Sequence, residues 1–236
     1  MDNRTYYDEF SHRYEDERGR GYHALVDDLE VDLALRYARG ARVFEAGCGT
    51  GLILHRLAGE AAHAVGLDLS AGMLRHARRR GLRVVQGSIT DLPFPDASFD
   101  VVCSFKVLAH VARIEAALAE LSRVTRPGGH MILEFYNPRS LRTLIKRIKR
   151  PTAVGDGVHD EHVYTRYDSL AAIERFLPPR HDVIDMRGVR VVTPVSTVFK
   201  VPPMARLFRY LEWKAADAPV LRRFGGFLIV VVRKPA

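Results

Sequence analysis

Cysteines and long hydrophobic runs are scarce in this sequence. Its 236 residues include two cysteines, Cys48 and Cys103, which are too few for a disulfide framework and lack the spacing of a zinc site. No stretch approaches the roughly 20 consecutive apolar residues that a membrane-spanning helix needs. Residues 1–14 are polar and of mixed charge, unlike a targeting signal. We therefore expect a soluble, cytoplasmic protein that holds no metal ion.

Acidic residues are missing from residues 139–150, although six basic residues lie there and the whole chain carries a formal net charge of +8. Apolar residues recur in this segment at helical spacing, at Leu141, Leu144, Ile145 and Ile148. The pattern predicts a basic amphipathic helix. Such a helix either packs on the domain or covers a pocket, or it contacts an anionic partner or a membrane surface.

Helical and extended patterns alternate along the first 136 residues. Ser70 is suited to cap one predicted helix and Gly81 to end it. The alternation predicts an α/β fold with a parallel sheet, helices on both faces and a ligand site at the carboxyl ends of the strands. The predicted strands are 41–46, 64–69, 83–86, 99–105, 131–136, 181–192 and 227–232, and the predicted helices are 22–37, 52–57, 70–80, 114–124 and 169–176.

The first predicted strand runs into a glycine-rich turn. Residues 43–51 are Val-Phe-Glu-Ala-Gly-Cys-Gly-Thr-Gly, and a turn of this kind lets a nucleoside cofactor approach the backbone closely. A dinucleotide fingerprint would need a glycine where Leu52 stands, so a pyrophosphate ligand fits poorly. The segment resembles motif I of the class I S-adenosylmethionine-dependent methyltransferases, hydrophobic-x-[DE]-x-G-x-G-x-G, with Glu45 as the acidic residue.

Further segments resemble the same family in the same order. Residues 87–100 contain Gly-Ser-Ile, Leu-Pro-Phe and Ser-Phe-Asp, similar to the family segment G-D-[AI]-x-x-L-P-F-x-x-x-S-F-D, although Ser88 replaces the usual aspartate. Residues 123–129 are similar to the family turn R-V-L-[KR]-P-G-G. The resemblance covers residues 6–136 and implies the small-molecule branch of the class, of the type 11 or ubiquinone–menaquinone-like kind.

The resemblance also implies the architecture. It predicts a Rossmann-like, seven-stranded, mostly parallel sheet with helices on both faces and an antiparallel C-terminal edge strand. Residues 1–236 would form one methyltransferase domain. Within it, we expect a helical lid at 1–40, the cofactor-binding core at 41–136, and the substrate-side helices, an insertion and the terminal strands at 137–236.

The implied cofactor is S-adenosylmethionine, with S-adenosylhomocysteine as its product. Asp68 ends the second predicted strand about twenty residues beyond the glycines, where a carboxylate accepts hydrogen bonds from ribose hydroxyls. Leu69 and Met73 would line the adenine, and Tyr14 or Arg18 would reach the methionyl carboxylate. The predicted cofactor-binding residues are Tyr14, Arg18, Glu45, Ala46, Gly47, Cys48, Gly49, Gly51, Asp68, Leu69, Met73, Gly87, Ser88, Ile89 and Phe105.

Methyl transfer from a sulfonium group needs alignment and a nucleophile but no metal ion. An acceptor hydroxyl, amine or acidic carbon also needs a base for its proton. The predicted catalytic residues are His110, His162 and Tyr136. Glu134 shares the face of Tyr136 if strand alternation holds, and both are either substrate-orienting or buried hydrogen-bonding residues. The His159–His162 pair lacks an ordered ligand set, so no metal site is predicted.

The predicted function is methyl transfer to an oxygen, nitrogen or carbon centre of a small-molecule acceptor. No Asn-Pro-Pro-Tyr-like segment follows the fourth predicted strand, which argues against exocyclic amines of nucleic-acid bases, and no nucleic-acid partner is expected. Two alternatives remain open: a non-catalytic cofactor-binding scaffold, and an RNA methyltransferase recruited by residues 139–150. The apolar segment 195–213 forms core, a substrate lid or the surface of a homodimer.

Overall fold

The computed structural model describes residues 7–8, 11, 14, 18, 20–140, 143 and 164–236. Within these residues the strands are β1 (Arg42–Ala46), β2 (His63–Asp68), β3 (Val84–Gln86), β4 (Phe99–Ser104), β5 (Thr125–Tyr136), β6 (Asp182–Val189) and β7 (Phe227–Arg233). The helices are α1 (Gly21–Ala38), α2 (Leu52–Ala58), α3 (Ala71–Arg79), α4 (Ile114–Val124), α5 (Leu170–Phe176) and α6 (Pro202–Ala216).

The strands form one seven-stranded sheet in the order β3-β2-β1-β4-β5-β7-β6. The pairs from β3 to β5 are parallel, whereas β7 runs antiparallel to both of its neighbours, β5 and β6. The predicted fold class is therefore confirmed. The structure adds that the antiparallel C-terminal strand lies inside the sheet, so that the edge of the sheet is β6.

Local signals explain why the central elements form as predicted. The Ser70 side chain accepts a hydrogen bond from the Met73 backbone N–H at 3.0 Å, which caps α3. Gly81 follows the end of that helix with a φ of +76°, a conformation that glycine adopts without strain. Alternate residues of β5 face opposite sides of the sheet: Met131 and Leu133 pack against α4 and α5, and Ile132 packs in the cluster of α1, α2 and α6.

Two strand boundaries differ from the prediction by three residues or more, each for a structural reason. β5 begins at Thr125 instead of residue 131, because the Pro-Gly-Gly turn bulges out between two paired positions: Thr125 pairs with Phe99, and His130 with Val101. β6 ends at Val189 instead of residue 192. The backbone N–H groups of the next two valines donate to the Glu212 carboxylate of α6 instead of to a neighbouring strand.

Among the described residues, no helix is both long and apolar enough to cross a membrane. The predicted basic helix at 139–150 lies almost entirely outside the described residues, and so do His159 and His162.

Candidate active site

A cavity of about 610 Å³ opens at the carboxyl ends of β1, β2, β4 and β5. Its walls include eleven of the predicted cofactor-binding residues: Tyr14, Arg18, Gly47, Gly49, Asp68, Leu69, Met73, Gly87, Ser88, Ile89 and Phe105. A small extension of about 40 Å³ shares part of this wall and adds Glu45 and Cys48. The structure thus brings most of the predicted set together around one space, as expected for parallel strands.

Two predicted cofactor residues have other roles in the structure. Ala46 is fully buried, and its carbonyl accepts a hydrogen bond from the Ser104 hydroxyl at 3.0 Å. Gly51 precedes α2 with a φ of +82°, and a Cβ there would collide with the Leu82 side chain. Both residues pack against the protein interior, and neither lines the cavity or its extension.

The glycine turn is built to leave room on the cavity side. Gly47 and Gly49 have φ values of +77° and +54°, which disfavour other residues. A Cβ on Gly47 would collide with Val107, whereas a Cβ on Gly49 would meet nothing within 4 Å. The first glycine therefore allows close packing, and the second leaves space in which a ligand can approach the backbone.

Asp68 is fixed at the end of β2 by backbone donors. Its Oδ2 accepts from the Gly49 N–H at 2.8 Å, and its Oδ1 accepts from the Ser70 N–H at 2.9 Å. Burial raises the pKa of this carboxyl, while the same backbone hydrogen bonds lower it in part. Each carboxylate oxygen keeps a further lone pair, so Asp68 can still accept hydrogen bonds from a ribose.

The neighbouring wall is mostly apolar. Met73 is 2% exposed and Leu69 is 40% exposed, so one packs firmly and the other flanks the opening. Ser88, which replaces the family's usual aspartate, shares a 2.8 Å hydrogen bond with the Thr90 hydroxyl and accepts from the Thr90 N–H at 3.2 Å. Its hydroxyl is thus already engaged within its own loop.

A buried cluster of charges, which the sequence did not reveal, forms the wall behind the glycine turn. The Lys106 Nζ lies 2.7 Å from Glu30 Oε2 and 3.0 Å from Asp27 Oδ1, and Asp27 also pairs with Arg18 at 3.2 Å. Burial alone would lower the pKa of Lys106, but the carboxylates of Glu30 and Asp27 hold it above its usual value. The two cations line both the cavity and its extension.

Several carboxyl oxygens in this region have no donor. Among the described residues, no hydrogen-bond donor reaches Glu45 Oε2, Glu30 Oε1 or either oxygen of Glu134. Burial raises the pKa of all three carboxyls. Glu134 lies on the same face of β5 as Tyr136, but it is buried against Glu30 and does not line the cavity.

A histidine and two tyrosines form the opposite end of the cavity. His110 packs edge-on against Tyr136 with ring centroids 5.6 Å apart, and Tyr136 in turn meets Tyr167 at 5.9 Å. His110 Nδ1 lies 3.0 Å from the Tyr164 carbonyl oxygen. Nδ1 also lies 3.3 Å from the Thr165 hydroxyl oxygen, and in the tautomer in which Nδ1 donates to the carbonyl, Nε2 is the basic nitrogen. His162, the other predicted base, lies outside the described residues.

The lysine and its acidic partners were missed because their signals are weak in the sequence. Lys106 adopts a φ of +60°, which is unusual for a lysine and follows no local motif. Asp27 and Glu30 were detectable in principle, because they stand among the buried leucines of α1. Within the described residues, no group of three His, Cys, Asp or Glu side chains could hold a metal ion.

Comparison with known families gives this geometry a context. Residues 44–133 match a family model described as a methyltransferase domain. This part of the chain is therefore similar to a methyltransferase domain. A solved S-adenosylmethionine-dependent methyltransferase from Thermotoga maritima superimposes on it with a TM-score of 0.70 at 20% identity, covering 97% of this chain and 98% of that one. At this level of identity the likeness shows the fold.

The methyltransferase domain also has curated relatives. It is 41% identical over 120 residues to the demethylmenaquinone methyltransferase of Mycobacterium sp. (strain KMS), covering 50% of this chain and 52% of that protein. It is 37% identical over 124 residues to the fatty-acid O-methyltransferase of Mycolicibacterium smegmatis, covering 50% and 43%. The chain thus spans about half the length of the relatives it matches. The matches support the predicted methyltransferase family over residues 44–133, and the fold is shared with an S-adenosylmethionine-dependent methyltransferase.

Proposed function

We propose that the protein transfers a methyl group from S-adenosylmethionine to an oxygen, nitrogen or carbon centre of an apolar small-molecule acceptor. The observation that carries the proposal is one cavity with two unlike ends. The glycine turn and Asp68 line one end, and His110, whose Nδ1 lies 3.0 Å from the Tyr164 carbonyl oxygen, lines the other. When bound, S-adenosylmethionine supplies an electrophilic methyl group on its sulfonium centre.

The residues of the first end fit the parts of this cofactor. Asp68 has lone pairs for the ribose hydroxyls, and the open space at Gly49 admits a ligand to the backbone. Arg18 and Lys106 provide positive charge for the methionyl carboxylate. Glu45 lines the same extension, and among the described residues no donor reaches its Oε2. The methionyl ammonium group can donate a hydrogen bond to this oxygen.

The residues of the second end fit the acceptor. Tyr136 and Tyr167 form an aromatic wall that favours an apolar or planar molecule. His110 would take the proton of the acceptor on Nε2, while Nδ1 keeps its own proton and donates it in a hydrogen bond to the Tyr164 carbonyl. The relatives named for demethylmenaquinone and for a fatty acid support an acceptor of this apolar kind.

The organisation of the chain is part of the same proposal. We infer one domain over residues 1–236, with a lid at 1–40, the cofactor core at 41–136 and the acceptor side at 137–236. Both cysteines are free and buried, which suits a reducing cytoplasm. The small-molecule acceptor is the partner we propose, without a nucleic acid.

Two variants test the two ends separately. Asp68→Ala should weaken binding of S-adenosylmethionine, measured by calorimetry, by about tenfold or more, because the ribose loses its acceptor. Asp96→Ala, on an exposed loop, is the control and should bind normally. His110→Gln should bind the cofactor normally and lose about 10²–10⁴-fold in turnover. Undiminished binding by Asp68→Ala would contradict the cofactor site.

The acceptor class requires a separate experiment. The protein is incubated with S-adenosylmethionine labelled in the methyl group and with pools of lipids, polar metabolites and total RNA. We expect label in the lipid pool with wild type and its loss with His110→Gln. Label confined to RNA would favour recruitment by residues 139–150, and binding of the cofactor with no label in any pool would favour a non-catalytic scaffold.

A further inference from the structure

Helix α6 exposes large apolar side chains where a surface helix normally presents polar ones. Its exposed apolar residues are Met204, Leu207, Tyr210 and Leu211, with exposed fractions of 39%, 49%, 59% and 37%. Their spacing of three and four residues puts them on one side of the helix, which we call the α6 outer face. The helix buries Glu212, Ala215 and Ala216. This apolar area therefore faces away from the core of the domain.

The exposed charged side chains of residues 196–216 are all positive, although Arg209 pairs with Asp28 of α1 at 2.9 Å and the exposed Asp217 follows the helix. Lys200, Arg206 and Lys214 are exposed, and Arg209 is half-buried. The acidic residue of α6, Glu212, is 1% exposed and accepts hydrogen bonds from three backbone N–H groups after β6. From residue 196 to residue 216 the surface thus combines apolar and cationic side chains without an exposed acid.

The α6 outer face begins on the side of the sheet where the parallel strands have their carboxyl ends and where the cavity opens. β6 is antiparallel to β7 and β7 to β5, so β6 ends at Val189 on the same edge where β1 and β2 end. The chain then reaches a short 3-10 turn, in which Phe199 packs against Tyr22 with ring centroids 6.0 Å apart. Tyr22 stands at the start of α1, close in sequence to the cavity residue Arg18.

We propose that the α6 outer face docks the protein on an anionic lipid surface. Apolar side chains of an amphipathic helix enter the headgroup region, and flanking cations attract anionic lipids; together these give reversible binding. A second copy of the chain fits less well, because a two-fold interface would bring Arg206 and Lys214 against the same cations of the partner. Docking would place the lipid surface beside the cavity edge. The inference rests on α6 and not on the chemistry of the cavity.

Co-sedimentation with lipid vesicles tests the proposal. At about 0.1 M salt, wild type should bind vesicles of equal parts phosphatidylglycerol and phosphatidylcholine, and bind pure phosphatidylcholine weakly. Leu207→Glu should reduce binding to the anionic vesicles by about tenfold, because it replaces apolar contact by repulsion. Leu207→Gln should give a smaller loss, which separates these two effects. Val85→Glu is the matched control, since Val85 is 37% exposed on β3 at the other edge of the sheet.

A further variant tests the cationic side chains of the α6 outer face. The folding of every variant is also measured. Replacing Arg206 and Lys214 together by Gln should reduce the preference for phosphatidylglycerol. Thermal unfolding and cofactor binding should be unchanged in all variants, because the substituted side chains are exposed. Absence of vesicle binding by wild type, or equal losses in Leu207→Glu and Val85→Glu, would overturn the proposal. A dimer in solution that Leu207→Glu converts to a monomer would also overturn it, and would assign the face to a second copy.

Discussion

Glu30 and Glu134 meet in a buried region behind the cavity that offers few hydrogen-bond donors. Lys106 donates to one oxygen of Glu30, and among the described residues no donor reaches the other oxygen or either oxygen of Glu134. Burial raises the pKa of both carboxyls. The charge of Glu30 raises the pKa of Glu134 further, whereas a hydrogen bond with Glu134 lowers the pKa of Glu30. The raised pKa of Glu134 favours its protonated form, which can donate a hydrogen bond to Glu30.

Glu134→Gln should flatten the dependence of stability on pH. The folded-state pKa of Glu134 lies well above the 4.5 of an ordinary glutamate. Glu134 therefore contributes its full share to the free energy of unfolding below pH 4.5. This contribution is lost as pH rises through the raised pKa of the folded state. Glutamine stays neutral and donates to Glu30. We expect the melting temperature of wild type to fall more than that of Glu134→Gln between about pH 5 and about pH 9.

The control for this substitution is Glu174→Gln on the exposed side of α5. Its melting temperature should depend on pH in the same way as that of wild type. Parallel melting curves for wild type and Glu134→Gln across the whole pH range would show that Glu134 carries no proton in the fold.

At the scale of elements, helix α6 and strand β6 determine each other's positions. Glu212 of α6 holds the backbone beyond β6, and Arg187 of β6 reaches back to the end of α6. The Arg187 guanidinium is 1% exposed; it donates to both oxygens of Asp217 at 2.7 and 2.6 Å, to Asp32 at 2.8 Å and to the Leu29 carbonyl at 2.8 Å. One side chain thus connects the edge of the sheet, α1 and the residue after α6.

Arg187→Met should destabilise the protein by about 2–4 kcal/mol, because it removes four hydrogen bonds of a buried side chain, to the Leu29 carbonyl, Asp32 and both oxygens of Asp217. Arg36→Met is the matched control. Arg36 pairs with the same two aspartates at 3.1 and 3.0 Å, but it is 44% exposed, so its loss should cost less than about 1 kcal/mol. Urea unfolding measures both. Equal losses in the free energy of unfolding would mean that the burial of Arg187 does not increase the stabilisation from its ion pairs.

At the scale of the whole molecule, the features predicted from sequence are those with local signals. The glycine turn, the Ser70 cap and the alternation of strands and helices depend on residues close together in the chain, and the structure has each of them where expected. Glu30 and Glu134 come together only through the fold. The early end of β6 follows likewise from Glu212, since Val191 and Val192 favour a strand by themselves.

Residues near the amino terminus connect two walls of the cavity. Asp8 Oδ1 accepts from the Ser70 hydroxyl at 2.6 Å and from the Gly72 N–H at 2.8 Å, at the positive end of α3. Arg18 pairs with Asp27 of α1 at the other wall. Because Tyr14 and Arg18 line the cavity between these contacts, the proposed lid would be held at both ends.

Asp8→Ala should therefore weaken cofactor binding without changing the methyl-transfer step itself. Losing two hydrogen bonds to one carboxylate should speed dissociation of S-adenosylmethionine by about tenfold, while association changes little. Asp28→Ala is the control, because Asp28 pairs with Arg56 and Arg209 on the surface of α1. Stopped-flow displacement measures the rate, and amide hydrogen exchange should show that cofactor protects residues 7–18 less in Asp8→Ala than in wild type. If Asp8→Ala and Asp28→Ala release the cofactor at the wild-type rate, these residues do not act as a lid, and the cofactor must be retained by the glycine turn and Asp68 alone.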